Sequence, residues 1–209
     1  MTMVNIETFT LGPLATNAYL LQLRDSDRAV IIDPGMNPEP LLTRIESLNI
    51  EAILLTHAHF DHIGGVDVIR KRFGCPVYLH EAESDWLASP AKNGSLMWPE
   101  IGGPIATDPA EETLEHGQTL ELLGQKIEVY HTPGHSPGSV SFKLGNYLFS
   151  GDVLFQNSIG RTDLPGGSSQ QLFTSIHEVL FSFDESVIVF PGHGPQTTIG
   201  HEMEFNPYV

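Results

Sequence analysis

A chain of 209 residues with 40% hydrophobic content is long enough to bury a sizeable core, and we expect one domain over residues 1–209. Ten Lys and Arg stand against 26 Asp and Glu, and the resulting net charge of −16 repels phosphate backbones and anionic membrane surfaces, which argues against nucleic acid or membrane as partners. Met1 to Glu7 shows no basic flank before an apolar stretch, no apolar run approaches the roughly 18 residues a membrane span needs, and Cys75, the single cysteine, has no partner for an internal disulfide, so the expectation is a cytoplasmic protein, monomer or homodimer.

Ile6 to Leu11, Tyr19 to Leu23 and Ala29 to Ile32 are short apolar or β-branched runs separated by turn residues, and they read as three antiparallel strands ending at Asp33-Pro34-Gly35. Pro40 to Leu48 carries Leu41, Leu42, Ile45 and Leu48 at helical spacing, and Ala52 to Leu55 is a buried strand. Ile63, Val66, Ile69 and Phe73 recur every three or four residues, which predicts a helix opened by His62 and closed by Gly74. Pro76 to His80 is the next strand, and Glu83 to Ala88 a short helix. Residues 89–117 are rich in Pro, Gly, Asn and acid with little periodicity; they read as a long surface excursion and a candidate lid. Within it, Met97 and Trp98 either line a substrate pocket or pack the loop onto the core, the latter being the ordinary role of such residues.

The second half is again β-rich, with strands at Thr119 to Leu123, Lys126 to His131, Ser139 to Leu144 and Tyr147 to Ser150, the last two joined by a Gly145-Asn146 turn. Ser168 and Gln171 form a capping-box pattern ahead of a helix whose apolar face carries Leu172, Phe173, Ile176, Val179 and Leu180. Val187 to Phe190 is the last strand. Two β-rich halves, each followed by helix, predict two sheets sandwiched between outer helices.

The chemistry concentrates in Thr56-His57-Ala58-His59-Phe60-Asp61-His62. In an extended segment residues two apart point the same way, so His57 and His59 address one point, while Asp61 and His62, at the helix entrance, address a second. Imidazole suits transition metals and a carboxylate adds charge and can bridge two cations. Three histidines and an aspartate buried between a strand and a helix would be costly without cations. His135 in Thr132-Pro133-Gly134-His135-Ser136-Pro137-Gly138, Asp152 after Ser150-Gly151, and His193 in Pro191-Gly192-His193-Gly194 all follow strands on Pro/Gly turns, where loops carry function. His80, His116 and His201 lack ligand-type neighbours at useful spacing, His177 lies in an amphipathic helix away from the motifs, His131 ends a strand outside any motif position, and Cys75 reads as a buried small hydrophobe.

With these motifs the sequence resembles the metallo-β-lactamase superfamily, and within it the glyoxalase II-like (hydroxyacylglutathione hydrolase-like) short bacterial subgroup, from Asp33-Pro34-Gly35 to Pro191-Gly192-His193-Gly194. The resemblance implies an α/β fold, an αββα sandwich of two mixed sheets flanked by helices. It implies a binuclear centre in which His57, His59 and His135 hold one divalent ion, Asp61, His62 and His193 hold the other, and Asp152 bridges them. Zinc is the expected metal, with iron or manganese as alternatives. Asp33 falls near the site in such proteins and is expected to support a ligand, or else simply to form its turn.

The activity implied is hydrolysis of a hydroxyacyl thioester such as S-lactoylglutathione by a hydroxide that two cations make available at neutral pH, with Asp61 as the catalytic carboxylate that orients it and carries its proton. Glyoxalase II enzymes hold glutathione partly through a C-terminal helical domain and through a lysine and a tyrosine after the bridging aspartate. Here only 16 residues follow His193, and Ser158-Ile159-Gly160-Arg161-Thr162-Asp163 offers Arg161, which either grips a substrate carboxylate or pairs with Asp163. A Gly-Arg-Thr-Asp run also resembles the persulfide dioxygenases, in which a single iron would take His57, His135 and Asp152. A non-catalytic metal-binding module is the third reading.

Overall fold

The computed structural model describes residues 4–209; Met1 to Met3, included in the reading of the amino terminus above, lie outside the described residues. The first half runs β1 (Val4–Leu11), β2 (Thr16–Leu23), β3 (Arg28–Ile32), α1 (Glu39–Arg44), β4 (Asn49–Leu54), α2 (Phe60–Ile63), α3 (Val66–Phe73), β5 (Val77–His80), α4 (Pro99–Gly102) and β6 (Glu112–Leu114). The second runs β7 (Thr119–Leu122), β8 (Gln125–His131), β9 (Val140–Leu144), β10 (Tyr147–Gly151), β11 (Leu154–Phe155), β12 (Ser158–Ile159), α5 (Ser169–Thr174), β13 (Ile188–Pro191), β14 (Thr197–Thr198) and α6 (Ile199–Phe205).

Two mixed six-stranded sheets result, ordered β1-β2-β3-β4-β5-β6 and β14-β13-β10-β9-β8-β7. β1, β2 and β3 pair antiparallel, as the short runs and turns predict, and β4, β5 and β6 add in parallel. Three apolar layers follow from the alternation of the strands. Leu20, Ile31 and Ile53 face Leu41, Ile45, Val66 and Ile69 of the first helical layer, whereas Tyr19, Val30 and Leu54 face Val129, Phe142 and Phe149 across the sandwich. Leu148 and Val189, on the far face of the second sheet, pack on Leu172, Ile176 and Leu180. The αββα expectation is therefore met.

Several local expectations change. The helix expected from His62 to Phe73 is two helices, because Gly64 and Gly65 pass against the turn after β3: a Cβ on Gly64 would lie 2.8 Å from Met36 Cγ, and one on Gly65 2.9 Å from the Pro34 carbonyl oxygen. Helix α1 ends at Arg44, after which Leu48 N–H closes a tighter turn on the Ile45 carbonyl. Glu83 to Ala88 is not a helix but a 3₁₀ turn over Glu81–Glu83 followed by turns. Residues 89–117 are not all excursion, since Glu112–Leu114 closes the first sheet beside β5, and Asn93 and Ser95 are buried within the loop. The helix after Ser168 has the expected cap, Ser168 Oγ accepting Gln171 N–H, and continues as a π-helical segment over Ser175–Val179; Phe173, expected on its apolar face, is exposed. The β11–β12 hairpin and β14 are built from two-residue strands, too short to register as periodic runs, and α6 follows the last strand, where no helix is expected.

Strand register sets the site. Ile32 pairs with Leu54 in the parallel β3–β4 ladder, and Phe149 with Phe190 in β10–β13. The carboxyl ends of these four strands thus lie at one edge of the sandwich and deliver Asp33, Thr56, Asp152 and Gly192 together, the edge where open α/β sheets place their ligands.

Candidate metal centre

Each motif histidine reaches the site already oriented. Thr56 donates its hydroxyl to Asp33 Oδ2 (2.6 Å), so the Thr56 oxygen can only accept from His57 Nδ1 at 3.0 Å, which leaves His57 Nε2 with its lone pair toward the site. His62 Nδ1 donates to the same Asp33 Oδ2 (3.0 Å), His135 Nδ1 to the Arg161 carbonyl (2.8 Å) and His193 Nδ1 to the Leu14 carbonyl (3.1 Å). Carbonyls and carboxylates only accept, so in all three rings Nε2 is the free nitrogen. His59 turns Nδ1 to within 2.8 Å of His135 Nε2, an approach of two ring nitrogens that needs a proton or a cation between them.

The ligand atoms fall into three overlapping groups, each within 4.8 Å: His57, His59 and His135; His57, His62 and Asp152; and Asp61, His62 and His193. Asp152 Oδ2 stands 3.5 Å from both His135 Nε2 and His193 Nε2, and its Oδ1 3.4 Å from His62 Nε2. It is therefore placed between the two outer groups. Among the described residues the buried side-chain polar atoms without a hydrogen-bond partner are His57 Nε2, His59 Nε2, His62 Nε2 and Asp152 Oδ1. Orphaned buried polar atoms are rare, and finding them all in one cluster of imidazoles and a carboxylate fits a site built to hold cations.

The electrostatics agree. Burial, reinforced by the neighbouring imidazoles, holds His57 well below the usual histidine range and His59 down to about 3, which keeps them neutral, the form that ligates metals. Burial would raise Asp61 and Asp152, but His62 and His193 beside them more than offset it: Asp61 falls to about 2 and Asp152 well below the usual carboxylate range. Burial likewise opposes the charge on His193, yet Asp152 and Asp61 raise it to about 10. The cluster thus carries ionised carboxylates facing imidazoles whose protons cations can replace.

All seven residues singled out as ligands converge here, and Asp33 lies 1% exposed behind His62 and Thr56, with its backbone at φ 49°. Arg161 sits at the rim, where Asp163 engages it through two contacts of 2.7 Å, the ion-pair alternative of the sequence reading, while its guanidinium lies 5.9 Å from the Trp98 ring centre. Trp98 stacks on Phe60 at 5.6 Å and lines the cavity over the site together with Leu14, Asn93 and Leu164, so it contributes to the pocket as well as holding the loop. Four supporting residues had no motif to announce them. Thr16 donates its hydroxyl to Asp61 Oδ2 at 2.7 Å, Asn17 and Tyr19 donate to the Pro191 carbonyl ahead of His193, and Glu83 lies buried beneath the histidine loops. Gly192 is needed for space, because a Cβ there would stand 2.1 Å from Asp152 Oδ1.

The sequence profile described as "Metallo-beta-lactamase superfamily" matches residues 11–193. A "Probable metallo-hydrolase YqgX" of Bacillus subtilis is 44% identical over 95% of this chain and 94% of its own length, and the "Hydroxyacylglutathione hydrolase GloC" of Haemophilus influenzae is 35% identical over 99% and 98%. Among solved structures, BLEG-1 B3 metallo-beta-lactamase is 51% identical with a TM-score of 0.93, covering 98% of this chain and 99% of that one. TTHA1623 in a di-iron-bound form is 42% identical with a TM-score of 0.84, covering 97% and 100%.

Proposed function

The chain belongs to the metallo-β-lactamase superfamily, and we propose that it is a metal-dependent hydrolase that cleaves a hydroxyacyl thioester, S-lactoylglutathione or a related thiol ester, at a dinuclear centre held by His57, His59, Asp61, His62, His135, Asp152 and His193. The observation that carries this reading is the clustering of the seven ligand-type side chains with unpartnered buried imidazole and carboxylate atoms among them, a cluster of which His59, Asp61, His135, Asp152 and His193 line one cavity. A second complete group around Asp61, His62 and His193 supports two cations rather than the single iron of a dioxygenase, and the di-iron-bound relative supports the same count. The identity to a hydroxyacylglutathione hydrolase supports the thioester.

Bound cations supply a nucleophile from water at neutral pH and polarise a carbonyl oxygen. The chain's own residues supply the rest. Asp61, kept ionised and fixed by Thr16, orients the attacking water and accepts its proton at the carboxylate. A thiolate is a good leaving group, its conjugate acid titrating near 8.5, so no strong general acid is required. Phe60, Trp98, Leu14 and Leu164 wall the cavity and exclude bulk water. Asn93 is committed to the loop, its amide donating to the Trp86 and Ile105 carbonyls and its oxygen accepting Ser95 N–H. Among the described residues Arg161 is the one lysine or arginine on this wall, and Asp163 already occupies two of its donors. With Arg161 already paired, the wall leaves little free cationic charge for the two carboxylates of a glutathione moiety, so within the proposed class it favours related thiol esters with compact, weakly charged groups over S-lactoylglutathione itself.

The test is a panel of thioesters, with a β-lactam included because of the 51%-identical B3 enzyme, assayed on metal-free protein reloaded with zinc, iron or manganese and on Asp61→Ala. Thioester turnover that needs metal and falls at least about 100-fold in Asp61→Ala is the expected result. Turnover of the β-lactam alone, or oxygen uptake with a thiol persulfide and one iron per chain, would replace the proposal.

A further inference from the structure

Glu83 is a fully buried carboxylate in a place where nothing in the motifs calls for one. It ends the 3₁₀ turn over Glu81–Glu83 that follows β5, a turn capped by His80 Nδ1 accepting Ala82 N–H. Its Oε2 accepts Ala58 N–H at 2.6 Å, and its Oε1 accepts Gly138 N–H at 2.8 Å and the Ser136 hydroxyl. Among the described residues no lysine or arginine pairs with it. Burial pushes its carboxyl above the usual glutamate range, and the three donors on its two oxygens oppose that rise.

Those donors are placed on both histidine loops. Ala58 stands between His57 and His59, and Ser136 follows His135, so one side chain fixes the backbone beside all three members of the first ligand group. The loops come from different sheets and meet directly through Val140 N–H on the Thr56 carbonyl, on the approach to the site. Glu83 does not line the cavity, which removes substrate contact as an explanation. We propose that Glu83 is a positioning residue that clamps the His57–His59 loop to the His135 loop and thereby sets the spacing of the first metal group. It rests on the metal centre proposed above.

The Glu83→Gln change tests the clamp. An amide keeps the shape but faces an N–H donor with its own NH₂ in either orientation, so one backbone donor loses its acceptor. Gly138→Ala tests it from the other side with the carboxylate intact, because the new Cβ would meet Glu83 Cγ at 2.7 Å and Cδ at 2.9 Å. Metal-free wild type and both variants are compared by circular dichroism and thermal melting, then titrated with cobalt(II), whose absorption bands report ligand geometry. The expected result is folded variants that bind cobalt about 10–100-fold more weakly than wild type, with altered bands. A folded variant with wild-type cobalt affinity and spectrum overturns the clamp, and so does failure of both variants to fold, which would make Glu83 a residue of general stability. Wild type that binds no cobalt instead removes the metal centre itself, so the two failures are distinguishable.

Discussion

Replacing Thr16 by valine keeps the volume and β-branching of the side chain and removes one hydroxyl. That hydroxyl is 1% exposed with its residue and donates to Asp61 Oδ2 at 2.7 Å, while the same oxygen has His193 Nε2 at 3.2 Å and His62 Nε2 at 3.5 Å. The two imidazoles are themselves proposed to turn their Nε2 atoms to a cation, so in the loaded protein Thr16 is the donor that holds the carboxylate in place. A hydrogen bond to a charged group is worth about 1.5–3 kcal/mol, which at 1.36 kcal/mol per decade is roughly a 10- to 150-fold effect. Because Asp61 is proposed to act on the proton of the attacking water, the loss should fall on kcat, with KM changed by less than about threefold. Steady-state hydrolysis of the best thioester in the panel, with metal content measured on the same samples, reads this out. Thr16→Ser, which restores the donor, should recover most of the rate. A fully metallated Thr16→Val enzyme with kcat within twofold of wild type would refute the reasoning, since Asp61 would then need no fixed donor.

Gly192→Ala should cost stability and metal together: its Cβ would stand 2.1 Å from Asp152 Oδ1 and 2.8 Å from His62 Cε1, an overpacking of about 1–3 kcal/mol, or roughly 2–12 °C of melting temperature in a chain of this size. Unchanged melting and metal content would show that the loop yields freely. Chelation of the metal should abolish turnover and lower the melting temperature, and re-addition should restore both, because a ligand that binds only the native state stabilises it; a chelated protein that retains full activity would contradict the centre. Acidification should weaken the fold through His80, which burial, with His131 stacked 4.1 Å away, lowers to about 4. The folded pKa lies below the unfolded value near 6.5, so the unfolded chain binds the proton first and stability is lost as pH falls from about 6.5 to about 4. His80→Asn, melted at pH 7 and pH 5, should show a smaller drop than wild type, and an equal drop would assign the acid sensitivity elsewhere.

The sequence was legible wherever one short segment held the whole signal. Alternating runs gave the antiparallel opening of the first sheet, and the density of ligand-type residues between Thr56 and His62 announced the centre before any contact was known. His135, Asp152 and His193 could be singled out for a related reason: each follows an apolar strand on a Pro/Gly turn, where loops carry function, and for Asp152 and His193 those strands, β10 and β13, pair in parallel. Chain breaks that depend on a distant neighbour were not legible. Gly64 and Gly65 end α2 because Pro34, Gly35 and Met36 press on them, a constraint absent from the helical spacing itself.

What the sequence alone determined, then, is the fold class and the set of metal-binding residue types, because periodicity and ligand spacing are local and additive along the chain. Only the tertiary structure decided how those residues are held. Thr16 approaches Asp61, Asp33 approaches His62 and Thr56, and Glu83 approaches both histidine loops from strands and turns far away in sequence. Thr16 and Glu83 look like ordinary surface or turn residues in one dimension, and Asp33 could be placed near the site only by resemblance. Burial makes the difference, since a polar group removed from water must find its partner in space, and the partner it finds fixes the geometry of the site.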